Sequence, residues 1–572
     1  MKNIYFLKSI PVIIVMLFTL SVNSDANWIK TEQRIEKTSN TQSTPNTQNS
    51  KSDSLPEGIT QDWLNNITDE NGNRIQLATA SRLEDPEVDA FQTSNFTGSN
   101  AGDEYGNKVS SAGDVNGDGY DDIIIGAPFN DATGLNAGSA YIYYGGISID
   151  TIADVTLSGE TSNNWFGRSV SAAGDVNGDG YSDVIVGAYI YNGFTGRTYI
   201  YYGGASMNNT ADVTMTGEAT NNFFGVSVSG AGDVNGDGYS DVIVGASGVY
   251  NSNTGRAYIF YGGATMNNIA DVTLTGEAPN NFFGTSVSAA GDVNGDGYSD
   301  VIVGAYQYSS ATGRAYIYYG GASMNNISDV TMTGEAINNE FGFSVSTAGD
   351  VNGDGYSDVI VGAYKYNSST GRAYLYYGGA VMNNLADVTM TGETTGNSFG
   401  YSLSAAGDVN GDGYSDVIVG AYTYSSNTGR AYIFLGAASM NNVSDLRING
   451  ETTNNYFGYS VSEAGDVNGD GYSDVIVGAS GYNSNTGKAY LYLYGMTGTF
   501  FADLTLTGED HTNYFGLSVS EAGDVNGDGY SDVVVGAYGY SNYTGRAYIF
   551  LSLIHISEPT RLRRISYAVF CL

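Results

Sequence analysis

The chain has 572 residues, 60 acidic against 22 basic side chains, a net charge of −38 and 79 glycines. Such an acidic surplus excludes a nucleic-acid backbone as partner, because phosphate binding needs clustered Lys and Arg to displace counterions; cation binding becomes the natural question instead. A single cysteine, Cys571, excludes an intrachain disulfide, and 7 prolines beside that glycine content exclude collagen and proline-rich disorder.

In chain order, residues 1–26 read as an export signal. Lys2 and Lys8 precede an apolar stretch over residues 10–20 that is too short to span a bilayer, and small residues suited to cleavage stand near Ser24 and Ala26. Residues 27–90 are rich in Thr, Asn, Gln and Ser, with little to bury, as in a mostly disordered linker. Within it, residues 58–67 around Trp63 fit one or two helical turns.

Residues 91–551 carry the organising signal. The string Asp-Val-Asn-Gly-Asp-Gly-Tyr-x-Asp occurs eight times, at intervals of 61, 58, 59, 58, 58, 58 and 58 residues. A period this regular means one supersecondary unit stacked repeatedly. In the unit over residues 224–276, residues 224–229 alternate large apolar with small polar side chains, as a strand does. After the acidic loop, residues 241–246 form a continuous β-branched run expected of a strand buried on both faces. Turn residues at 251–255 lead into an aromatic-rich third strand at 256–261, and residues 270–275 alternate again as a fourth. Four antiparallel strands in about 58 residues, with no helix-length pattern, predict an all-β chain built as a β-propeller of four-stranded blades. The small residues of strand one suit the crowded axis, and strand four suits the rim.

Phe166-Gly167, Phe341-Gly342 and Phe457-Gly458, each followed by an acidic loop and then Gly-Ala, with Gly126-Ala127-Pro128 in the first copy, resemble FG-GAP repeats over about residues 91–551. The resemblance implies a β-propeller of the kind found in integrin alpha subunits and in bacterial secreted proteins. Two departures stand out: most copies read Gly-Ala-Tyr or Gly-Ala-Ser in place of Gly-Ala-Pro, and eight units are present where integrin propellers have seven blades. Strand bookkeeping favours eight. Seven internal copies of strand four are present and the eighth is missing, while Asn95-Phe96-Thr97-Gly98 before the first unit echoes its Thr-Gly end. That N-terminal strand is expected to complete the last blade and leave no unpaired edge; seven blades plus a stray unit is the competing arrangement.

The acidic loops are candidate metal sites. Positions 1, 3, 5 and 9 offer side-chain oxygens, position 7 offers its backbone carbonyl, and Gly at position 6 permits the sharp turn. In the first loop these are Asp114, Asn116, Asp118, Tyr120 and Asp122; in the second, Asp175, Asn177, Asp179, Tyr181 and Asp183; in the third, Asp233, Asn235, Asp237, Tyr239 and Asp241. The fourth loop supplies Asp292, Asn294, Asp296, Tyr298 and Asp300, and the fifth Asp350, Asn352, Asp354, Tyr356 and Asp358. The sixth supplies Asp408, Asn410, Asp412, Tyr414 and Asp416, the seventh Asp466, Asn468, Asp470, Tyr472 and Asp474, and the eighth Asp524, Asn526, Asp528, Tyr530 and Asp532. Hard oxygens without Cys or His select Ca2+ over transition metals. The string also opens helical EF-hand loops, but here a β-branched run follows at once and no Glu closes the loop at position 12. The alternative is an Asx-rich hairpin turn without metal, in which the bare carboxylates repel one another. Resemblance to the integrin-type loop implies calcium, up to eight ions. Each loop joins strands one and two, so an ion there clamps the innermost hairpin and plays a structural part.

In an antiparallel blade the calcium loops share a face with the Met-Asn-Asn turns, such as Met207-Asn208-Asn209. The opposite face carries Tyr189, Tyr306, Tyr364, Tyr422 and Tyr538, together with Trp165, Phe223, Phe282, Tyr456 and Tyr514. In the family this opposite face binds ligand and partner subunit. Aromatics among Asn and Ser suit protein or carbohydrate recognition, or else blade-to-blade packing. One cation recurs per blade: Arg197, Arg256, Arg314, Arg372, Arg430, Lys488 and Arg546. These either grip an acidic ligand or pair with acids and stack on Tyr.

Catalysis needs a unique, asymmetric set of groups, and this array is nearly monotonous, with His511 its only histidine. The expectation is a non-enzymatic, secreted or cell-surface adhesion and recognition module that takes an extracellular protein or carbohydrate ligand and has no transmembrane segment in the mature chain. Its alternatives are the propeller part of a truncated extracellular hydrolase and a structural surface-layer protein. Residues 552–572, basic and unlike the repeats, resemble translated sequencing-adapter read-through and read as a non-native tail.

Overall fold

The computed structural model describes residues 14–23, 26–35, 92–146, 151–248, 252–468, 470–495 and 499–552. The 58–67 helix, most of the linker and the tail beyond 552 lie outside the described residues. Apart from the repeats, strands β1 (Ile14–Asn23) and β2 (Ala26–Ile35) form an antiparallel hairpin that pairs Ile14 with Ile35. No strand is expected there from sequence, since the segment reads as an export stretch running into a linker. Its runs Ile14-Val15 and Trp28-Ile29 do have strand character.

The repeats form eight four-stranded antiparallel sheets, the blades of a β-propeller. The first blade shows the plan: β4 (Lys108–Gly113), β5 (Asp122–Ala127), β6 (Ser139–Tyr143) and β7 (Val155–Ser158) pair in chain order. First strands lie beside the first strands of both neighbouring blades, and that of the eighth blade lies beside β4, so they surround the axis. Ring closure follows the strand count. Strand β3 (Gln92–Thr97) pairs with the strand Arg546–Leu551, Gln92 opposite Leu551 and Thr97 opposite Arg546, as the outer strand of the eighth blade. The seven-blade arrangement is thereby excluded.

The core lies between blades. Each second strand, Asp300–Ala305 for example, is buried at every position, as its β-branched run predicts. Phe283 is fully buried against Tyr316 and Tyr318 of its own blade, with ring centroids at 5.2 and 6.3 Å, and the cluster extends to Ile259 and Leu274 of the preceding blade. The Phe-Gly and Gly-Ala pairs meet at the same seam. Gly342 of the fifth blade presents its carbonyl to Gly304 of the fourth so closely that a methyl group on Gly304 would overlap backbone. Gly304→Ala is therefore expected to cost about 3 kcal/mol or more, read as a lower midpoint in denaturant titration; an unchanged midpoint would refute the seam.

Candidate functional site

Every acidic loop starts from a bulge. Strand one of the fourth blade ends at Gly291, whose φ of +75° needs glycine, and the pairing register shifts there so that Gly291 opposes Asp300. The chain then wraps around Asp292. Its Oδ1 accepts hydrogen bonds from the backbone N–H of Gly295 at 2.7 Å and Asp296 at 3.1 Å, and its Oδ2 accepts from Gly297 at 2.9 Å. Asn294 Oδ1 accepts from the Asp296 N–H at 2.8 Å, and Asp296 Oδ1 from the Tyr298 N–H at 3.1 Å. Asp300, at position 9, is fully buried; its two oxygens accept from the N–H groups of Val293 at 2.8 Å and Gly320 at 2.7 Å. Gly320 belongs to the connection between strands three and four, so these connections and the acidic loops share a face, as expected.

The eight loops are joined into a ring, a feature that the reading of one repeat does not contain. The position-8 N–H of each loop donates to the position-1 carbonyl of the loop before it: Ser182 to Asp114 at 2.9 Å, Ser299 to Asp233 at 3.0 Å, and so on to Asp121, which closes the circle on Asp524 at 3.0 Å. The position-7 Tyr covers the position-4 Gly of the preceding loop, Tyr181 over Gly117 and Tyr120 over Gly527. The sequence does show the Tyr; its contact lies between repeats and is invisible within one.

The structure thus gathers Asp, Asn, Asp, Tyr and Asp in each loop. Among the described residues, however, no three acidic, His or Cys side chains converge as a ready metal cage; the oxygens are turned onto the loop's own amides. What fits a cation is the charge balance. Burial pushes the Asp300 carboxyl up to about 7 against its two backbone donors, and the carboxylates of Asp296 and Asp292 push it further. The equivalents Asp122, Asp183, Asp241, Asp358 and Asp416 also stand at about 7, and Asp532 at about 8. A buried carboxylate beside two others is a poor arrangement on its own and a good one around a divalent cation.

The raised pKa gives a signed prediction. The folded state holds these protons more tightly than an unfolded Asp near ~3.9. The stabilisation is full below that value and is lost as pH rises through about 7. Without divalent ions the chain is therefore expected to melt higher at pH 5 than at pH 8, and with calcium, which needs ionised ligands, the order is expected to reverse. Scanning calorimetry at both pH values, with and without calcium, checks this; a metal-free chain equally stable at both would contradict it.

On the opposite face the recurring cations are paired. Arg314 Nη1 meets Glu277 Oε2 at 2.5 Å while its guanidinium lies 3.9 Å from the Tyr308 ring centroid, and Arg197, Arg372, Arg430 and Lys488 repeat both contacts. Arg546 pairs with Glu509 over Tyr540, and Arg256 pairs with Glu218. Of the two readings of these cations, pairing and stacking is the one seen. The aromatics pack from blade to blade: Trp165 and Phe223 flank Tyr189 at 5.7 and 6.1 Å, and Tyr306 lies 5.9 Å from Phe282.

The residue after each Phe-Gly pair breaks the repeat. Around the axis, beginning after Tyr105-Gly106, the order is Asn107, Arg168, Val226, Thr285, Phe343, Tyr401, Tyr459 and Leu517. Arg168 is exposed and donates from Nη1 to Asn107 Oδ1 at 2.6 Å. Phe343, Tyr401 and Tyr459 form a continuous half-buried bank, with centroids 5.3 and 5.2 Å apart, widened by Tyr364 and Tyr422 at 4.7 Å from Phe343 and 4.6 Å from Tyr401. Beside the bank, Glu340 stands where five of the blades carry an aromatic residue, is buried, and pairs with Lys365 at 2.6 Å. Near-identical repeats leave few site-specific differences, yet this column keeps them; aligning the eight copies position by position exposes it.

Residues 105–143, 166–201, 224–260, 283–318, 341–376 and 399–434 match the FG-GAP repeat family, and residues 466–535 match the FG-GAP-like repeat. Integrin alpha-5 of Xenopus laevis is 31% identical over 222 residues, 36% of this chain and 20% of that protein. Integrin alpha-6 of Gallus gallus is 39% identical over 155 residues, 26% of this chain and 14% of that protein. The chain thus spans a fifth or less of the length of these relatives. In fold alone it is similar to the crystal structure of Sqt1 from Chaetomium thermophilum, with a TM-score of 0.50 at 11% identity, covering 81% of this chain and 100% of that one. Among the described residues no helix is long and apolar enough to cross a membrane.

Proposed function

The chain belongs to the FG-GAP repeat family as an integrin alpha-like β-propeller, and from that premise we propose that it is a secreted or cell-surface recognition module, non-catalytic, whose eight acidic loops hold structural calcium and whose opposite face takes a protein or carbohydrate ligand. One observation carries the reading: the acidic loops repeat almost unchanged around the ring, whereas the column at the axis on the other face holds seven different residue types in eight blades, from Asn107 to Leu517. Uniform residues serve the scaffold, and variation on a rigid scaffold is how propellers and similar folds present binding sites.

In each acidic loop the two Asp side chains, the Asn amide oxygen, the Tyr carbonyl and the buried Asp would hold the ion. Bound calcium would supply the positive charge that lets the buried carboxylate ionise. The chain's own part is the bulged hairpin that collects these oxygens and the inter-loop hydrogen bonds that fix each hairpin against the next.

Probing the calcium-loaded chain on arrays of glycans and extracellular-matrix proteins tests the reading. Binding is expected, and in a Cys571→Ser background a polymer attached at Ile337→Cys on the aromatic face should block it, whereas the same polymer at Ile327→Cys on the loop face should not; both residues are exposed. Binding to nothing, or blocking only from the loop face, would refute it.

A further inference from the structure

We propose that the axis mouth opposite the acidic loops is a binding site for an acidic carbohydrate, a uronic-acid-bearing glycan whose carboxylate is held by Arg168 and Lys108 while its sugar rings stack on Tyr401, Tyr459 and Phe343. The inference rests on the recognition reading above and specifies the ligand class for it.

The eight-blade ring sets the geometry. First strands follow one another around the axis in blade order, so in a closed ring of eight each blade faces the one four positions on. Asn107 of the first blade and Arg168 of the second therefore stand across the mouth from Phe343 of the fifth and Tyr401 of the sixth. One side is basic and polar: Arg168 and Lys108 are exposed there. Strand β4, which begins at Lys108, runs beside the first strand of the second blade, Ser169–Gly174, which Arg168 directly precedes, so the two cations open neighbouring strands; desolvation by the surrounding protein and then the like charge of Arg168 lower the Lys108 pKa. Glu104 is the acid on this side; burial raises its pKa and Arg168 then draws it down. The other side is aromatic, and the Tyr401 and Tyr459 hydroxyls lie 3.3 Å apart, leaving hydroxyl hydrogen-bonding capacity at the edge of an apolar bank.

This split selects the ligand class. A sugar ring has apolar C–H faces that cover an aromatic ring and hydroxyl edges that bond to Tyr oxygens, so a bank of half-buried rings with polar rims suits it. Two cations face one acid, Glu104, on this side, so a neutral glycan would leave a positive charge unbalanced, whereas a carboxylate meets the fork of Arg168 with charge-assisted bonds. The same two cations are too few to hold a polyphosphate chain against a protein charge of −38. Each of the seven cations of the outer ring has an acid of its own, whereas Arg168 donates to the Asn107 amide and shares the single acid Glu104 with its surroundings.

The test is calorimetric titration of the full calcium-loaded chain with a hyaluronan oligosaccharide, which alternates glucuronate with N-acetylglucosamine, against a chitin oligosaccharide of equal length, which lacks the carboxylates. Hyaluronan is expected to bind, with chitin weaker by roughly tenfold or more, the worth of one charge-assisted contact. The double variant Arg168→Gln, Lys108→Gln should remove that difference and the salt dependence with it, at an unchanged melting temperature. Tyr401→Leu should weaken both sugars. Failure of hyaluronan to bind the folded chain, equal binding of the two sugars, or binding of a poly-glutamate peptide that ignores Tyr401→Leu would each overturn the proposal. An array ligand that is indifferent to all three substitutions would sink this site while leaving the broader recognition function standing.

Discussion

A chelator added to the full chain is expected to lower its melting temperature by on the order of 20 °C. A site filled at a hundredfold excess over its dissociation constant adds about 2.7 kcal/mol to the native state. Eight such loops together contribute on the order of 20 kcal/mol, and an array of this size loses roughly 1 kcal/mol of stability per degree near its midpoint. The coupling between loops sharpens the expectation. Since each loop donates its position-8 N–H to its predecessor and lays its Tyr on the predecessor's Gly, emptying one loop loosens both neighbours. Calcium is therefore expected to restore stability along a curve steeper than that of independent sites. A melting temperature indifferent to chelator would refute the structural role of the loops, and a shallow, non-cooperative recovery would refute their coupling.

The second large effect concerns closure. Deleting residues 92–97 should turn the folded chain into a destabilised, aggregating species. The deletion strips the outer partner from the strand Arg546–Leu551, opening a six-residue edge in the eighth blade. It also removes Phe96, fully buried with its ring 4.2 Å from that of Tyr143 in the first blade, and so detaches the last blade from the first. Phe96→Ala separates the two contributions: it keeps the backbone ladder, and a cost of about 3–5 kcal/mol is expected without self-association. Light scattering and denaturant titration of both variants provide the check. A deletion variant that scatters light and melts like the parent would show that the ring does not close through this strand.

Much of this architecture is legible in the sequence, for identifiable reasons. Near-exact repetition makes each strand's pattern visible eight times, so the β-branched run at 300–305 reads as a doubly buried strand and is one. The missing fourth strand could be sought elsewhere, and the Thr97-Gly98 end marked where it lay. Contacts between repeats were hidden. Tyr298 reads as offering its carbonyl oxygen within its own loop, but its ring belongs to the loop before, over Gly236. The pairing of Arg314 with Glu277 spans the seam between blades in the same way. The column from Asn107 to Leu517 is likewise invisible in any single unit, since only the eight copies together show where they differ. At the N terminus the hairpin of β1 and β2 is not legible, because an export stretch and a solvated linker account for the same residues without a strand.

The account depends most on calcium occupying the acidic loops, and the direct measurement is the calcium content of the gel-filtered full chain, by elemental analysis, in buffer of defined free calcium. Close to eight ions per chain are expected, one for each loop, with Asp292→Ala losing at least one. Retention of no calcium at millimolar free ion, or a content untouched by Asp292→Ala, would contradict it.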